Sequence, residues 1–183
     1  MNSVNKISTS LPEVFVLEPR VFGDERGFFL ESYNQRTMAS LGLAENFVQD
    51  NHSRSSRNVI RGLHYQIAQP QGKLVRVVEG EILDVAVDMR RSSPDFGRSE
   101  AVRLSSENHR MLWIPVGFAH GFRVLSENAQ VLYKATDFYA PEHERTLAWN
   151  DPKLKINWEL DGEPIVSAKD QKGMMLHNAE AFG

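Results

Sequence analysis

The chain has 183 residues, 41% hydrophobic and 25% charged, with a formal charge of −3 at pH 7 and no cysteine. That length can bury a core, so residues 1–183 are expected to form one domain. The acidic balance argues against a nucleic-acid surface, and the absence of cysteine excludes disulfides, thiolate ligands and a cysteine nucleophile while agreeing with a cytoplasmic location. No apolar run approaches the ~20 residues of a membrane helix. The N-terminal stretch MNSVNKISTSLPEVFVLEP lacks the basic and apolar regions of a secretory signal, so no membrane association is expected.

In chain order, EVFVLEP (Glu13–Pro19) alternates as a strand, and RVFGDERGFFLESYN follows with a turn at Gly23-Asp24 leading into another. NQRTMASLGL (Asn34–Leu43) is the best early helix, with Asn34 as its cap and Gly42 near its end. KLVRVVEGEILDVAVDMR reads as two strands about a tight turn at Glu79-Gly80, with Leu83, Val85 and Val87 alternating with Asp84 and Asp88. SEAVRLSS, RMLWIPVG, HGFRVLS and AQVLYKATDFY are further short β-rich runs, the last extending as one strand through Tyr133 and Tyr139. The tail DPKLKINWELDGEPIVSAKDQKG is less regular and is expected to wrap the rest. Short strands at this spacing predict an all-β sandwich or barrel with a few short helices.

Two histidines raise the question of a metal. PVGFAHG contains Pro115-x-Gly117-x-x-His120, which resembles the second motif of the cupin barrels. RGLHYQIAQPQGKLVRVVEGE then falls where the first cupin motif should lie, and the resemblance implies a jelly roll. That motif implies His-x-His, a carboxylate and a closing glycine. Here those positions read His64-Tyr65-Gln66, Lys73 and, seven residues beyond the lysine, Gly80. An ammonium has no free lone pair, and an amide is a poor ligand for a transition metal. His64 and His120 alone fall short of the three protein ligands usual at a catalytic metal, so none is expected.

Isolated strand histidines are commonly just packed. Arg61 and Lys73 nearby argue for a bound ligand, because several polar groups aimed into a barrel are costly otherwise. A neutral imidazole is a base near pH 7, an ammonium can stabilise an oxyanion, and a tyrosine can return a proton from another direction. His64, Lys73 and Tyr133 together suit proton abstraction beside a carbonyl, with Tyr133 a better acid candidate than Tyr139. Asp170 would orient His64 through its second ring nitrogen if the tail folds back. The residues by themselves reach as far as a ligand-binding β-barrel with acid–base capacity.

VFGDERGFFLESYN, FVQDNHSRSSRNVIRGLHYQ, QGKLVRVVEGEILDVAVDMRRSSPDFG, WIPVGFAHGF, YKATDFYAPEHERTLAWNDP and SAKDQ, in this order from about Val14 to Asp170, resemble the dTDP-4-dehydrorhamnose 3,5-epimerases. The resemblance implies a cupin-type jelly roll that epimerises dTDP-4-dehydro-6-deoxy-D-glucose at C3 and C5, both flanking the C4 ketone, with no cofactor. It implies His64 as general base paired with Asp170, Tyr133 as proton donor on the opposite face, and Lys73 as the cation near the keto oxygen. His120 is implied to line the pocket. For the nucleotide it implies Arg26, Glu31, Gln49, Asn51 and Arg61, with both arginines on the diphosphate. Phe22 and Tyr139 would lie beside the thymine, with Glu144 and Lys169 as further contacts. Outside this context, Glu31, Glu144 and Lys169 would read as solvated surface.

A homodimer with exchanged N-terminal strands is also implied, the VFGDERGFFLES hairpin completing the partner's site. GMMLHNAEAFG lies outside the resemblance and carries no expected role. The competing readings are an epimerase acting at one carbon, a metal-dependent cupin, and a non-catalytic sugar-nucleotide-binding barrel.

Overall fold

The structure is a computed structural model and describes residues 4–183. Its first strands are β1 (Val4–Ser8), β2 (Phe15–Pro19), β3 (Val21–Asp24), β4 (Gly27–Leu30), β5 (Gln49–Ser56), β6 (Val59–Gln66) and β7 (Lys73–Glu79). There follow β8 (Glu81–Asp88), β9 (Ser99–Ser105), β10 (Met111–Ile114), β11 (Phe118–Val124), β12 (Asn128–Ala135), β13 (Glu144–Thr146) and β14 (Ile165–Val166). One α-helix, α1 (Gln35–Ser40), lies between β4 and β5. Among the described residues no helix is long and apolar enough to cross a membrane.

One antiparallel sheet runs β1-β2-β10-β7-β12-β5; the other runs β13-β6-β11-β8-β9, with β14 added in parallel beside β6. Alternate side chains from the two sheets meet between them. Val16, Val75, Val77, Leu112 and Val131 of the first pack with Ile82, Ala86, Leu104, Phe118 and Phe122 of the second. The result is an all-β sandwich, as the strand spacing predicts, of the jelly-roll kind that the cupin resemblance implies.

The tight turn at Glu79-Gly80 is present, but it rounds a corner between sheets. β7 pairs with β10 and β12, whereas β8 pairs with β9 and β11. Gly80 has a φ of 75°, and an added Cβ would run into the Asn128 carbonyl oxygen, so glycine is required there.

Strand β8 is buried on both faces from Ile82 onward. Leu83, Val85 and Val87 face outward into a second cluster with Leu63, Leu147, Leu154 and Trp158. The tail thus covers what would otherwise be a solvent face, and the alternating face carrying Asp84 is the interior one.

Two boundaries differ from the sequence expectation. Helix α1 is shorter than Asn34–Leu43, although Asn34 does cap it, its side-chain oxygen accepting from the backbone N–H of Arg36 (3.0 Å) and Thr37 (3.3 Å). The first hairpin reverses at Glu25-Arg26, not Gly23-Asp24, because the Asp24 carboxylate accepts from Arg26 N (2.9 Å) and draws the turn beyond itself. This β3–β4 hairpin forms its own two-stranded sheet. Phe22, Phe28 and Phe29 on it are 50%, 64% and 69% exposed.

Candidate active site

Strands β6 and β11 set His64 directly opposite His120. Strict alternation on β6 would send Arg61 and His64, three residues apart, to opposite faces. The β6–β11 pairing instead slips between His120 and Phe122. The slip occurs where Gly62 lies so close to Gly121 that a Cβ on it would stand 2.6 Å from the Gly121 Cα. It absorbs one residue, and both Arg61 and His64 reach the same cavity. This cavity of about 490 Å³ also receives Lys73 from β7, His120 from β11, Tyr133 from β12, and Lys169 and Asp170 from the tail.

His64 Nε2 is 2.6 Å from Asp170 Oδ1. The tail does fold back: β14 runs beside the first residues of β6, and the Ser167 hydroxyl accepts from Asp170 N (3.1 Å). Gly62 N donates to the other Asp170 oxygen at 3.3 Å. Burial acts to raise the Asp170 pKa, but the hydrogen bond and charge of His64 outweigh it and hold the group lowered, as a carboxylate. With Nε2 committed to Asp170, Nδ1 is the nitrogen left for a ligand.

Lys73 is buried, its ammonium 3.5 Å from the His64 carbonyl oxygen. Burial pulls its pKa down to about 8, against the pull of Asp84 and Glu144. His120 Nε2 lies 2.9 and 3.0 Å from the oxygens of the wholly buried Asp84. Burial lowers the His120 pKa in spite of that carboxylate, favouring the neutral ring. Tyr133 stands on the sheet facing His64, and burial, with Glu144 nearby, raises its pKa and keeps it a phenol. Arg61 Nε donates to the buried Ser55 hydroxyl (2.9 Å), which holds the guanidinium from behind.

A second group is tied to the cavity through Lys169. Lys169 pairs with Glu144, which accepts from the Tyr139 hydroxyl at 2.8 Å. Gln49 accepts from Tyr139 N (2.9 Å) and donates to Asn51 (3.0 Å). Burial tends to raise the Glu144 pKa, and the bonds from Lys169 and Tyr139 overcome it, leaving it lowered. Tyr139 lies beyond the end of β12 at Ala135, in a loop and not on the strand expected from the sequence. Its exposed ring is therefore free of the strand's alternation.

Within one chain, the remaining residues stand apart. Phe22 and Arg26 belong to the projecting hairpin, and Arg26 turns back on Asp24 (Nε–Oδ1 3.1 Å). Glu31 accepts from Asn34 at 3.1 Å.

The model of the dTDP-4-dehydrorhamnose 3,5-epimerase family matches residues 8–178. A dTDP-4-dehydrorhamnose 3,5-epimerase of Pseudomonas aeruginosa is 61% identical over 174 residues, covering 94% of this chain and 96% of its own. The chain belongs to the dTDP-4-dehydrorhamnose 3,5-epimerase family. Among solved structures, the dTDP-6-deoxy-D-glucose-3,5-epimerase of Legionella pneumophila, in complex with dTDP-4-keto-L-rhamnose, superposes with a TM-score of 0.94 at 50% identity, covering 97% of this chain and 95% of its own. A 3'-monoepimerase of Streptomyces bikiniensis, in complex with dTDP-quinovose, gives 0.88 at 31% identity, with 93% and 87% covered. The epimerase is thus a cupin-like isomerase, on a scaffold similar to that of an enzyme named for one carbon only.

Other side chains contact these groups without having been anticipated from the sequence. Asp84 looked like the polar side of an alternating strand, yet it is the buried partner of His120. Ser55 and Ser167, which steady Arg61 and Asp170, carried no signal beyond ordinary serine polarity. Gln66, at the position of a cupin metal ligand, gives its side-chain amide to backbone groups of Gln69, Phe138 and Ala140.

Proposed function

We propose that the epimerase converts dTDP-4-dehydro-6-deoxy-D-glucose to dTDP-4-dehydro-L-rhamnose, for dTDP-L-rhamnose biosynthesis, by acid–base chemistry at C3 and C5. The observation that carries this reading is the His64–Asp170 pair on one wall of the cavity and the Tyr133 phenol on the other sheet, with buried Lys73 lining the same space. Both carbons are α to the C4 ketone, so one carbonyl acidifies both protons. His64 takes the proton through Nδ1, and Asp170 stabilises the imidazolium. The electron pair moves onto the ketone oxygen, where the Lys73 ammonium stabilises the enolate. Tyr133 delivers a proton to the opposite face of the carbon and inverts it. His64 then loses its proton to solvent and Tyr133 regains one before the second carbon reacts. The chemistry assigned to these side chains calls for no metal or cofactor, the fixed positive charge coming from Lys73.

For the nucleotide, Arg61 engages the diphosphate, since a guanidinium fork matches phosphate oxygens. His120 lines the sugar pocket, and Gln49, Asn51, Tyr139, Glu144 and Lys169 form the nucleotide rim, with Tyr139 against the thymine. Phe22, Arg26 and Glu31 act on the partner's site in a homodimer with exchanged N-terminal strands. The exposed phenyl rings of the β3–β4 hairpin support this arrangement. The chain acts as one domain, in the cytoplasm, where its nucleotide-sugar substrate would be found.

The test is a His64→Ala variant, assayed for dTDP binding by calorimetry and for turnover by NMR. Binding should persist while turnover drops by about 10²–10⁴-fold or more. Turnover near the wild-type rate would remove His64 as the base.

A further inference from the structure

The segment from Asp137 to Ala140 carries Tyr139 and has no regular secondary structure, yet its backbone is held at four consecutive residues. Three glutamine side chains provide the bonds. Gln71 donates to Asp137 O (2.8 Å), Gln66 donates to Phe138 O (3.2 Å), Gln49 accepts from Tyr139 N (2.9 Å), and Gln66 accepts from Ala140 N (2.9 Å). Gln66 is the only one of the three that is fully buried, at 4% exposure, and it also donates to Gln69 O at 2.7 Å. It stands on β6 two residues from His64, and opposite Glu144 in the β6–β13 pairing. One rigid strand therefore carries both the base and the clamp on the aromatic loop.

We infer that Gln66 is a positioning residue for nucleotide recognition: its amide fixes the 137–140 loop so that the Tyr139 ring is already set when the nucleotide arrives. The inference rests on the proposed role of Tyr139 and deepens it. An amide suits the task because it donates and accepts from one planar group, matching a carbonyl and an N–H on neighbouring residues. Tyr139 and Phe138 are 53% and 60% exposed, so without the Gln66 bonds the loop would be held only by the buried Ala140 and by single bonds to Gln71, Gln49 and Glu144. Ordering it would then fall to the binding step and weaken affinity, leaving the proton-transfer groups in place. The position that carries a metal ligand in the cupin motif would here serve substrate binding through the backbone of a loop.

The experiment compares wild type, Gln66→Met, Tyr139→Ala and the double variant, with dTDP as the probe in calorimetry and the 4-dehydro sugar nucleotide in kinetics. Gln66→Met keeps the side-chain length and removes all three bonds. It should raise the dTDP Kd and the substrate KM by about tenfold, with kcat within about twofold of wild type. In the Tyr139→Ala background the same change should add less than about twofold, because the residue it positions is gone. Should Gln66→Met fail to fold, Gln66→Glu, which retains an acceptor for Ala140 N, carries the same comparison.

An unchanged Kd, a fall in kcat matching the rise in KM, or a full additive loss in the Tyr139→Ala background would overturn the inference. Failure of the wild-type protein to bind dTDP would instead count against the proposed function.

Discussion

A buried lysine gives the chemistry a defined pH window. Burial lowers the Lys73 pKa from 10.5 to about 8, and the nearby Asp84 and Glu144 stop it falling further. The ammonium that stabilises the enolate is present below that value and is lost as pH rises through it. Measured kcat/KM should therefore decline on the alkaline side with a midpoint near 8, well before free lysine would titrate. A profile flat to pH 10 would contradict a Lys73 ammonium that both titrates near 8 and supplies its charge to the reaction.

At this scale the site was largely legible. His64 and Lys73 stood out because they occupy ligand positions of a cupin frame, whereas Tyr133 and Asp170 took their roles from the family resemblance; the structure brings all four to one cavity. Asp84 was not legible. Period-two alternation separates two faces of a strand but does not say which is interior once both are buried. Phe22, Arg26 and Glu31 lie outside the cavity of a single chain, in keeping with the resemblance, which implies that their hairpin serves a partner's site, although no pattern in the residues themselves shows it.

The elements owe their placement to a few local devices. The slip on β6 brings Arg61 and His64 to one side, β14 returns the tail alongside β6, and the corner at Gly80 passes the chain between sheets. Gly80→Ala should cost about 2 kcal/mol or more, because it combines a positive φ with a collision against the Asn128 carbonyl. Urea denaturation measures this directly, and a loss below about 0.5 kcal/mol would mean that the corner relaxes without strain.

The strongly apolar strands and the capped helix were readable from periodicity. Strand β5 was missed because its sequence, QDNHSRSS, has almost no apolar alternation. Of its inward-facing side chains, Ser53 lines the cavity and Ser55 accepts from Arg61. The corner at Gly80 was readable as a turn and not as a change of sheet, since a glycine fixes local backbone and says nothing about which strands pair beyond it.

The whole molecule leaves the β3–β4 hairpin projecting, with its phenylalanines in solvent. Exchange of this segment between two copies would bury those rings and deliver Arg26 to a second cavity. Sedimentation equilibrium should then report twice the 20.8 kDa of one chain. Phe29→Asp should shift the molecule toward monomer and raise KM together. A wild-type monomer with full activity would contradict the exchanged dimer.

The scaffold is similar to that of a 3'-monoepimerase, so the fold by itself does not fix which carbons the epimerase inverts. Incubation with dTDP-4-dehydro-6-deoxy-D-glucose in heavy water, followed by NMR, tests it most directly. Proton transfer through His64 and Tyr133 at both positions α to the ketone should place deuterium at C3 and at C5. Deuterium at only one of them, or at neither, would contradict epimerisation at both carbons.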